Sequence, residues 1–76
     1  ALGWMTYHPL RSEGSEPGWP DLVLLKPPRL LFAELKRVGK RPTPAQARWL
    51  KKLSGVSGIE VYLWTPASPD WRERLA

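Results

Sequence analysis

Short apolar blocks separated by turn residues dominate this chain, and they predict a small sheet. Aromatic and β-favouring residues fill positions 3–8, and apolar blocks run from Asp21 to Leu25 and from Leu30 to Lys36. Pro27-Pro28 lies between the last two blocks and predicts a connection, because proline cannot donate a ladder hydrogen bond. Since these two blocks are close in sequence, we expect them to pair as an antiparallel hairpin.

A single amphipathic helix is predicted after the third strand. Thr43 has the character of an N-cap and Pro44 that of a first helical residue, and Gly55 marks the end after Ser54. The stripe that faces the sheet contains Gln46, Trp49, Leu50 and Leu53, at positions i, i+3, i+4 and i+7.

Alternation and β-branching over Ile59 to Trp64 predict a fourth strand, and strand–helix–strand order indicates a right-handed crossover with parallel pairing. Ser68-Pro69 repeats the capping pattern before one or two helical turns over Asp70 to Leu75. The fold class is therefore α/β: a mixed β-sheet with a flanking helix, in the order β-β-β-α-β-α, forming one domain over residues 1–76.

Composition narrows the possible partners. The chain has 76 residues, a net charge of +5 and no cysteine, so disulfides and thiolate metal sites are excluded. A basic chain favours a polyanionic partner, nucleic acid before membrane. No apolar run approaches the ~18 residues of a membrane span and no signal peptide opens the chain, so we expect a cytoplasmic protein. The small core makes a dimer plausible.

Asp21, Glu34 and Lys36 are the candidate catalytic residues. Glu34 and Lys36 are two apart, so both project from one face of a strand, while the Leu35 side chain is expected to point into the core. The hairpin brings Asp21 beside Glu34, and two carboxylates with the Leu35 carbonyl form an oxygen-rich site that suits Mg²⁺. Lys36 would orient or deprotonate an attacking water, or stabilise the charged transition state.

A purely structural alternative stays open for each of these residues. Asp21 is also a common turn residue after proline, and Glu34 with Lys36 is also an ordinary surface ion pair, of the kind worth about 0–1 kcal/mol. Leu30 and Phe32 share the strand face of Glu34, which counts against a solvated pair.

Two further residues are candidates for an assisting role. Gln46 lies in the first helical turn, where its side chain either supports the active site near Lys36 or completes a capping box with Thr43. His8 ends the first predicted strand and either contacts the phosphate or water, or is simply half-buried.

A basic turn is the candidate DNA-binding surface. Arg37, Lys40 and Arg41 lie between the third strand and a helix N-terminus, which itself favours anions. Arg11 and Ser12, in the turn-rich loop of residues 9–20, are weaker candidates for phosphate contact. The sequence contains no glycine-rich phosphate loop, and a single histidine without cysteine excludes the usual zinc sites.

The ordered set of these motifs resembles the PD-(D/E)xK nuclease superfamily, and most closely the VRR-NUC (virus-type replication-repair nuclease) family in its stand-alone phage or bacterial form. The resemblance rests on Tyr7-His8-Pro9 with Arg11-Ser12, Gly18-Trp19-Pro20-Asp21, twelve intervening residues, Glu34-Leu35-Lys36, and a helix with Gln46 and Trp49.

The resemblance implies a restriction-endonuclease-like fold, a Mg²⁺ or Mn²⁺ cofactor, and hydrolysis of phosphodiester bonds in DNA. It assigns metal binding to Asp21, Glu34 and the Leu35 carbonyl, catalysis to Lys36, and support to Gln46. It also implies a homodimer that acts on branched DNA, including four-way junctions. The family core begins with a helix that this chain lacks, which implies either trimming or a weaker second metal position. A non-catalytic nucleic-acid-binding module and a small dimerising interaction domain are the alternatives.

Overall fold

A computed structural model describes residues 3–9, 16–65 and 70–76. Within these ranges the elements, in chain order, are β1 (Met5–Tyr7), β2 (Leu22–Lys26), β3 (Arg29–Leu35), α1 (Pro44–Ser54), β4 (Glu60–Trp64) and α2 (Asp70–Leu75). The predicted mixed α/β architecture is confirmed, and the bounds of the predicted elements agree with the observed ones to within two residues. The predicted Ser68 cap lies outside the described residues.

The strands form one sheet in the order β1-β2-β3-β4. The β1/β2 and β2/β3 pairs are antiparallel, and the β3/β4 pair is parallel. The antiparallel hairpin across Pro27-Pro28 and the parallel pairing of the strands on either side of α1 are therefore as predicted. Because β3 and β4 are parallel, their carboxyl ends lie at the same edge of the sheet, which is also where β2 begins.

The two faces of the sheet have different coverings. On the face called here the α1 face, Phe32 contacts Trp19 edge-on, and Trp19 in turn contacts Trp49 of α1, with ring centroids 5.8 and 4.9 Å apart. The opposite face, called here the α2 face, carries a buried cluster on which part of α2 packs. That cluster consists of Leu24, Leu31, Ala33 and Trp64, with Trp4, Leu22, Tyr62 and Leu75 packed against it.

The N-terminus of α1 is fixed by its own sequence. Thr43 is the N-cap and Pro44 the first helical residue, and a capping box joins Thr43 and Gln46 in both directions. The amide of Thr43 donates to Gln46 Oε1 at 2.9 Å, and the amide of Gln46 donates to Thr43 Oγ1 at 3.2 Å. Such a box satisfies two amides that the first helical turn would otherwise leave without partners.

An ion pair between Arg29 and Glu60, called here the clasp, joins the starts of β3 and β4. The Arg29 guanidinium donates two hydrogen bonds of 2.7 Å to the Glu60 carboxylate, and the Tyr62 hydroxyl donates a third, also of 2.7 Å. The hydrogen bond from Arg29 outweighs partial burial and lowers the pKa of Glu60 from 4.5 to about 2. The clasp thus holds the parallel pair together at the edge away from Asp21.

Among the described residues, no helix combines the length and apolar character that a membrane crossing requires.

Candidate metal centre

The candidate residues meet at the edge of the sheet where β2 begins and β3 ends. Leu22 pairs with Ala33 in the antiparallel register, so the same register extended by one position sets Asp21 opposite Glu34. Facing residues of an antiparallel pair have Cβ atoms roughly 4.5–5.5 Å apart. The strand pairing, rather than a long loop, therefore brings the two carboxylates together.

Asp21 is tied to the end of β3 by a hydrogen bond. Its Oδ2 accepts from the backbone amide of Leu35 at 2.9 Å, and only 7% of the residue is exposed. This bond joins residues 14 positions apart in the sequence, so it ties the start of β2 to the end of β3 and is not the local turn cap that aspartate forms after proline. It also holds the Asp21 carboxylate next to the peptide between Glu34 and Leu35, where the metal site was expected.

Glu34 is an acidic side chain in the interior of the protein. It is 1% exposed and lies on the α1 face, two residues from Phe32. The ammonium group of Lys36 lies 3.6 Å from Glu34 Oε2, which is an ion-pair distance but longer than a hydrogen bond. Lys36 itself is only partly buried. The predicted same-face placement of Glu34 and Lys36 is thus matched by their contact.

Oxygen donors are concentrated at this edge of the sheet. Asp21 and Glu34 contribute two carboxylates beside the single ammonium group of Lys36, within a chain of net charge +5. No group of three or more His, Cys, Asp or Glu side chains with metal-binding placement occurs among the described residues. A divalent ion would therefore have two carboxylates, a backbone carbonyl and water, which is a donor set that Mg²⁺ accepts.

The segment before Asp21 is anchored on α1 through residues of the Gly18-Trp19-Pro20-Asp21 motif. Gly18 has φ +87°, and a Cβ there would lie 2.4 Å from the carbonyl carbon of Ala45. The indole nitrogen of Trp49 donates to the carbonyl of Pro17 at 3.1 Å. The aromatic contacts of Trp19 complete the anchor, which leads into a fully buried Pro20 and then Asp21.

Gln46 and His8, the two residues predicted to assist catalysis, lie in different surroundings. The side-chain oxygen of Gln46 is engaged in the capping box, so the structural alternative is observed, and the support role stays a prediction. His8 follows β1 directly and is exposed. Since Tyr7 pairs with Val23, the register extended by one sets His8 level with Leu22, next to Asp21 in sequence. Its catalytic role also stays a prediction.

The expected DNA-binding residues lie beside the carboxylates in sequence and at the surface. Arg37, Lys40 and Arg41 are all exposed in the connection from β3 to α1, where the Lys40 amide donates to the Arg37 carbonyl in a turn. Arg11 and Ser12 lie outside the described residues. The Leu35 side chain departs from its expected place in the core: it is 39% exposed, because it stands at the end of β3, where the covering of the α2 face is incomplete.

Comparisons with protein-family models, with curated proteins and with solved structures found no match to this chain.

Proposed function

We propose that this chain is a divalent-metal-dependent DNA endonuclease of the PD-(D/E)xK type, similar to the VRR-NUC family, that hydrolyses phosphodiester bonds in branched DNA such as four-way junctions. The main support is the meeting of Asp21, Glu34 and Lys36 at one edge of the sheet. One carboxylate is bonded to the Leu35 amide at 2.9 Å, and the other lies 3.6 Å from the lysine ammonium. Two carboxylates and a backbone carbonyl at one sheet edge are oxygen donors of the kind that Mg²⁺ binds.

Each residue of the candidate metal centre has its own role in this proposal. Asp21 and Glu34, with the Leu35 carbonyl, would hold Mg²⁺ or Mn²⁺. When bound, the ion supplies positive charge that stabilises the developing charge on the phosphate. Lys36 positions a water molecule as its ammonium or, as the free amine, takes a proton from it. The water oxygen attacks phosphorus while the bond to the leaving ribose oxygen breaks, and that oxygen takes a proton from solvent. The side chain of Lys36 is 18% exposed, so part of it is open to solvent at the sheet edge.

Cations next to this edge supply the sequence-independent part of DNA binding. Arg37, Lys40 and Arg41 are exposed and follow the site directly in the chain. Contacts of this kind release counterions, so the affinity falls steeply as salt rises. A homodimer would present two such sites to two arms of a branched substrate, which suits a structure-selective nuclease.

Cleavage of a labelled four-way junction in Mg²⁺ tests the proposal. We expect Lys36→Ala to reduce the single-turnover rate by roughly 10²–10⁴-fold, the usual range for loss of a positioned acid or base. Glu34→Gln, which keeps the shape of the side chain, should abolish activity through loss of the ion. The matched control is Lys52→Ala, an exposed lysine in the last turn of α1, which should cleave at the parent rate. Equal rates for the Lys36→Ala variant and the parent would rule out the assignment.

A second candidate is a nucleic-acid-binding module without catalysis. It is supported by the Lys36–Glu34 contact, since an internal ion pair accounts for that distance without a metal. This candidate predicts salt-sensitive binding to DNA that ignores Mg²⁺ and no cleavage at any metal concentration. A Mn²⁺ titration followed by water-proton relaxation separates the two, because only the nuclease binds Mn²⁺ in a manner that Glu34→Gln removes.

A further inference from the structure

Cations and aromatic rings gather on the α2 face, at the end of the sheet away from the candidate metal centre. The ring centroid of Trp4 lies 4.9 Å from the guanidinium carbon of Arg29 and 5.9 Å from the ammonium nitrogen of Lys26. Energetically significant cation–π contacts occur roughly once per 70–80 residues, so two of them on one ring are uncommon. This group, which also includes Tyr62 and Arg74, is called here the Trp4 surface.

Strand register and a long-range hydrogen bond fix the parts of the Trp4 surface. Lys26 pairs with Arg29 across the β2/β3 hairpin, so the two cations stand side by side at one end of the sheet. The indole nitrogen of Trp4 donates to the carbonyl of Leu75 at 2.8 Å, and this bond holds the last turn of α2 against the ring. The cations are therefore placed by the packing of the strands and α2.

Three cations and one carboxylate make up the charges of the Trp4 surface. The guanidinium carbon of Arg74 lies 5.5 Å from the ring centroid of Tyr62, and Arg74 and Lys26 are both exposed. Glu60 is the carboxylate, and Arg29 binds it through two hydrogen bonds of 2.7 Å. A cation held against a ring face keeps its charge and an open side, and the ring restricts its rotamers. Less conformational entropy is then lost when such a cation binds an anion.

The Trp4 surface and the candidate metal centre lie on opposite faces of the sheet. Leu31, two residues after Arg29, belongs to the buried cluster of the α2 face. Glu34 lies on the α1 face, two residues after Phe32. Side chains alternate along β3, and five residues of this strand, or roughly 17 Å, separate Arg29 from Glu34. A duplex that lies along the α1 face at the metal centre therefore leaves the Trp4 surface uncovered, and a second arm can occupy it.

We propose that the Trp4 surface binds the phosphate backbone of a second DNA arm while the first arm lies at the candidate metal centre. The inference rests on the proposed function and gives a structural reason for a preference for branched over linear DNA. Lys26 and Arg74 contact the phosphates, and Arg29 holds the surface together through the clasp. Arg72 and Glu73, the exposed neighbours of Arg74 on α2, offset each other in charge. Since phosphate contacts carry no sequence information, the surface selects the shape of the DNA and not its bases.

Binding to DNA in EDTA tests the surface without any cleavage. An immobile four-way junction and a linear duplex with the length of two of its arms are titrated by fluorescence anisotropy at a series of salt concentrations. Lys26→Ala should lower the slope of log K against log salt for the junction by about 0.9 and weaken binding about fivefold to tenfold at about 0.1 M salt, as loss of one phosphate contact predicts. Lys26→Arg, which keeps the charge, should bind as the parent does. On the linear duplex Lys26→Ala should match the parent, since a single duplex is held at the metal centre.

Two further variants make the measurement decisive. Lys52→Ala removes an exposed lysine from the last turn of α1 and should leave junction binding unchanged. Arg74→Ala should act as Lys26→Ala does, and a urea midpoint near that of the parent shows that this variant is folded. The two changes together should lower the slope for the junction by about 1.8, because each removes one phosphate contact.

The outcomes separate this inference from the nuclease proposal. Equal slopes for Lys26→Ala, Lys52→Ala and the parent on the junction would overturn the Trp4 surface, even if cleavage that depends on Lys36 is found. Equal losses on the junction and on the linear duplex would overturn the second arm. A loss that is confined to the junction and that Lys26→Arg restores, in a protein that cleaves no DNA, would support the surface and defeat the nuclease.

Discussion

Gly18→Ala is the sharpest structural perturbation of the segment that positions Asp21. Gly18 adopts φ +87°, and a Cβ would lie 2.4 Å from the carbonyl carbon of Ala45, 2.5 Å from its oxygen and 2.7 Å from the amide nitrogen of Gln46. These are backbone atoms of α1, which cannot move away by a change of side-chain rotamer. Gly58 supplies a matched control, because it has φ +88° but nothing within 4 Å of its own Cβ position.

The expected cost follows from those two environments. An alanine held in the left-handed region destabilises the folded state by about 1–2 kcal/mol. Replacing glycine also lowers the conformational entropy of the unfolded chain, and this offsets about 0.4–1 kcal/mol of the loss. Gly58→Ala should therefore lose about 1 kcal/mol. At Gly18 the loop must also move off α1 by roughly 1 Å to reach an ordinary carbon–carbon separation. That movement weakens the Trp19–Trp49 contact and the Trp49–Pro17 hydrogen bond, each worth about 1 kcal/mol. The total loss at Gly18 should be about 3 kcal/mol.

Urea denaturation followed by tryptophan fluorescence measures the difference. With a slope of about 1 kcal/mol per molar for a small domain, the midpoint should fall by about 1 M for Gly58→Ala and about 3 M for Gly18→Ala. The Gly18→Ala protein should also bind Mn²⁺ more weakly, since the displaced loop carries Asp21. Equal midpoints for the two variants would show that Gly18 does not approach α1 as closely as described.

Three further predictions concern stability. Because the folded pKa of Glu60 is lowered from 4.5 to about 2, its bond to Arg29 stabilises the protein above about pH 4.5 and the stabilisation is lost as pH falls towards 2. Because the pair is partly exposed, solvent screens part of this contribution. The free energy of unfolding should still fall more between pH 5 and pH 2.5 in the parent than in Glu60→Gln, and parallel pH profiles would contradict the clasp. Leu31→Ala, at a fully buried position, should cost about 2–5 kcal/mol by urea denaturation, against less than about 1 kcal/mol for the exposed Leu63→Ala. Thr43→Ala should cost about 1 kcal/mol by removing the N-cap of α1, and no change in midpoint would mean that the capping box contributes nothing.

Local chemistry was sufficient to predict the elements. The capping box at Thr43 and the turn at Gly55 depend only on neighbouring residues, so both ends of α1 were predictable from spacing. The hairpin was predictable because two prolines separate two apolar blocks, and its register then follows from the turn at Lys26 and Arg29. The meeting of Asp21 with Glu34 is a consequence of that register.

Contacts between residues distant in sequence were not predictable in the same way. The exposure of Leu35 depends on how far α2 covers the sheet, and the hydrogen bond from Trp4 to Leu75 joins residues 71 positions apart. The anchor of Gly18 against Ala45 likewise joins a loop and a helix that share no sequence pattern.

The sequence by itself determined where strands and helices form and which acidic and basic residues share one strand face, because backbone propensity, capping and side-chain alternation act over a few residues. Only the tertiary structure decided how deeply Glu34 is buried, that Asp21 is bonded to the Leu35 amide, and that cations gather around Trp4 on the other face of the sheet. Burial and contacts between elements depend on how whole elements pack against each other, which no local pattern of residues specifies.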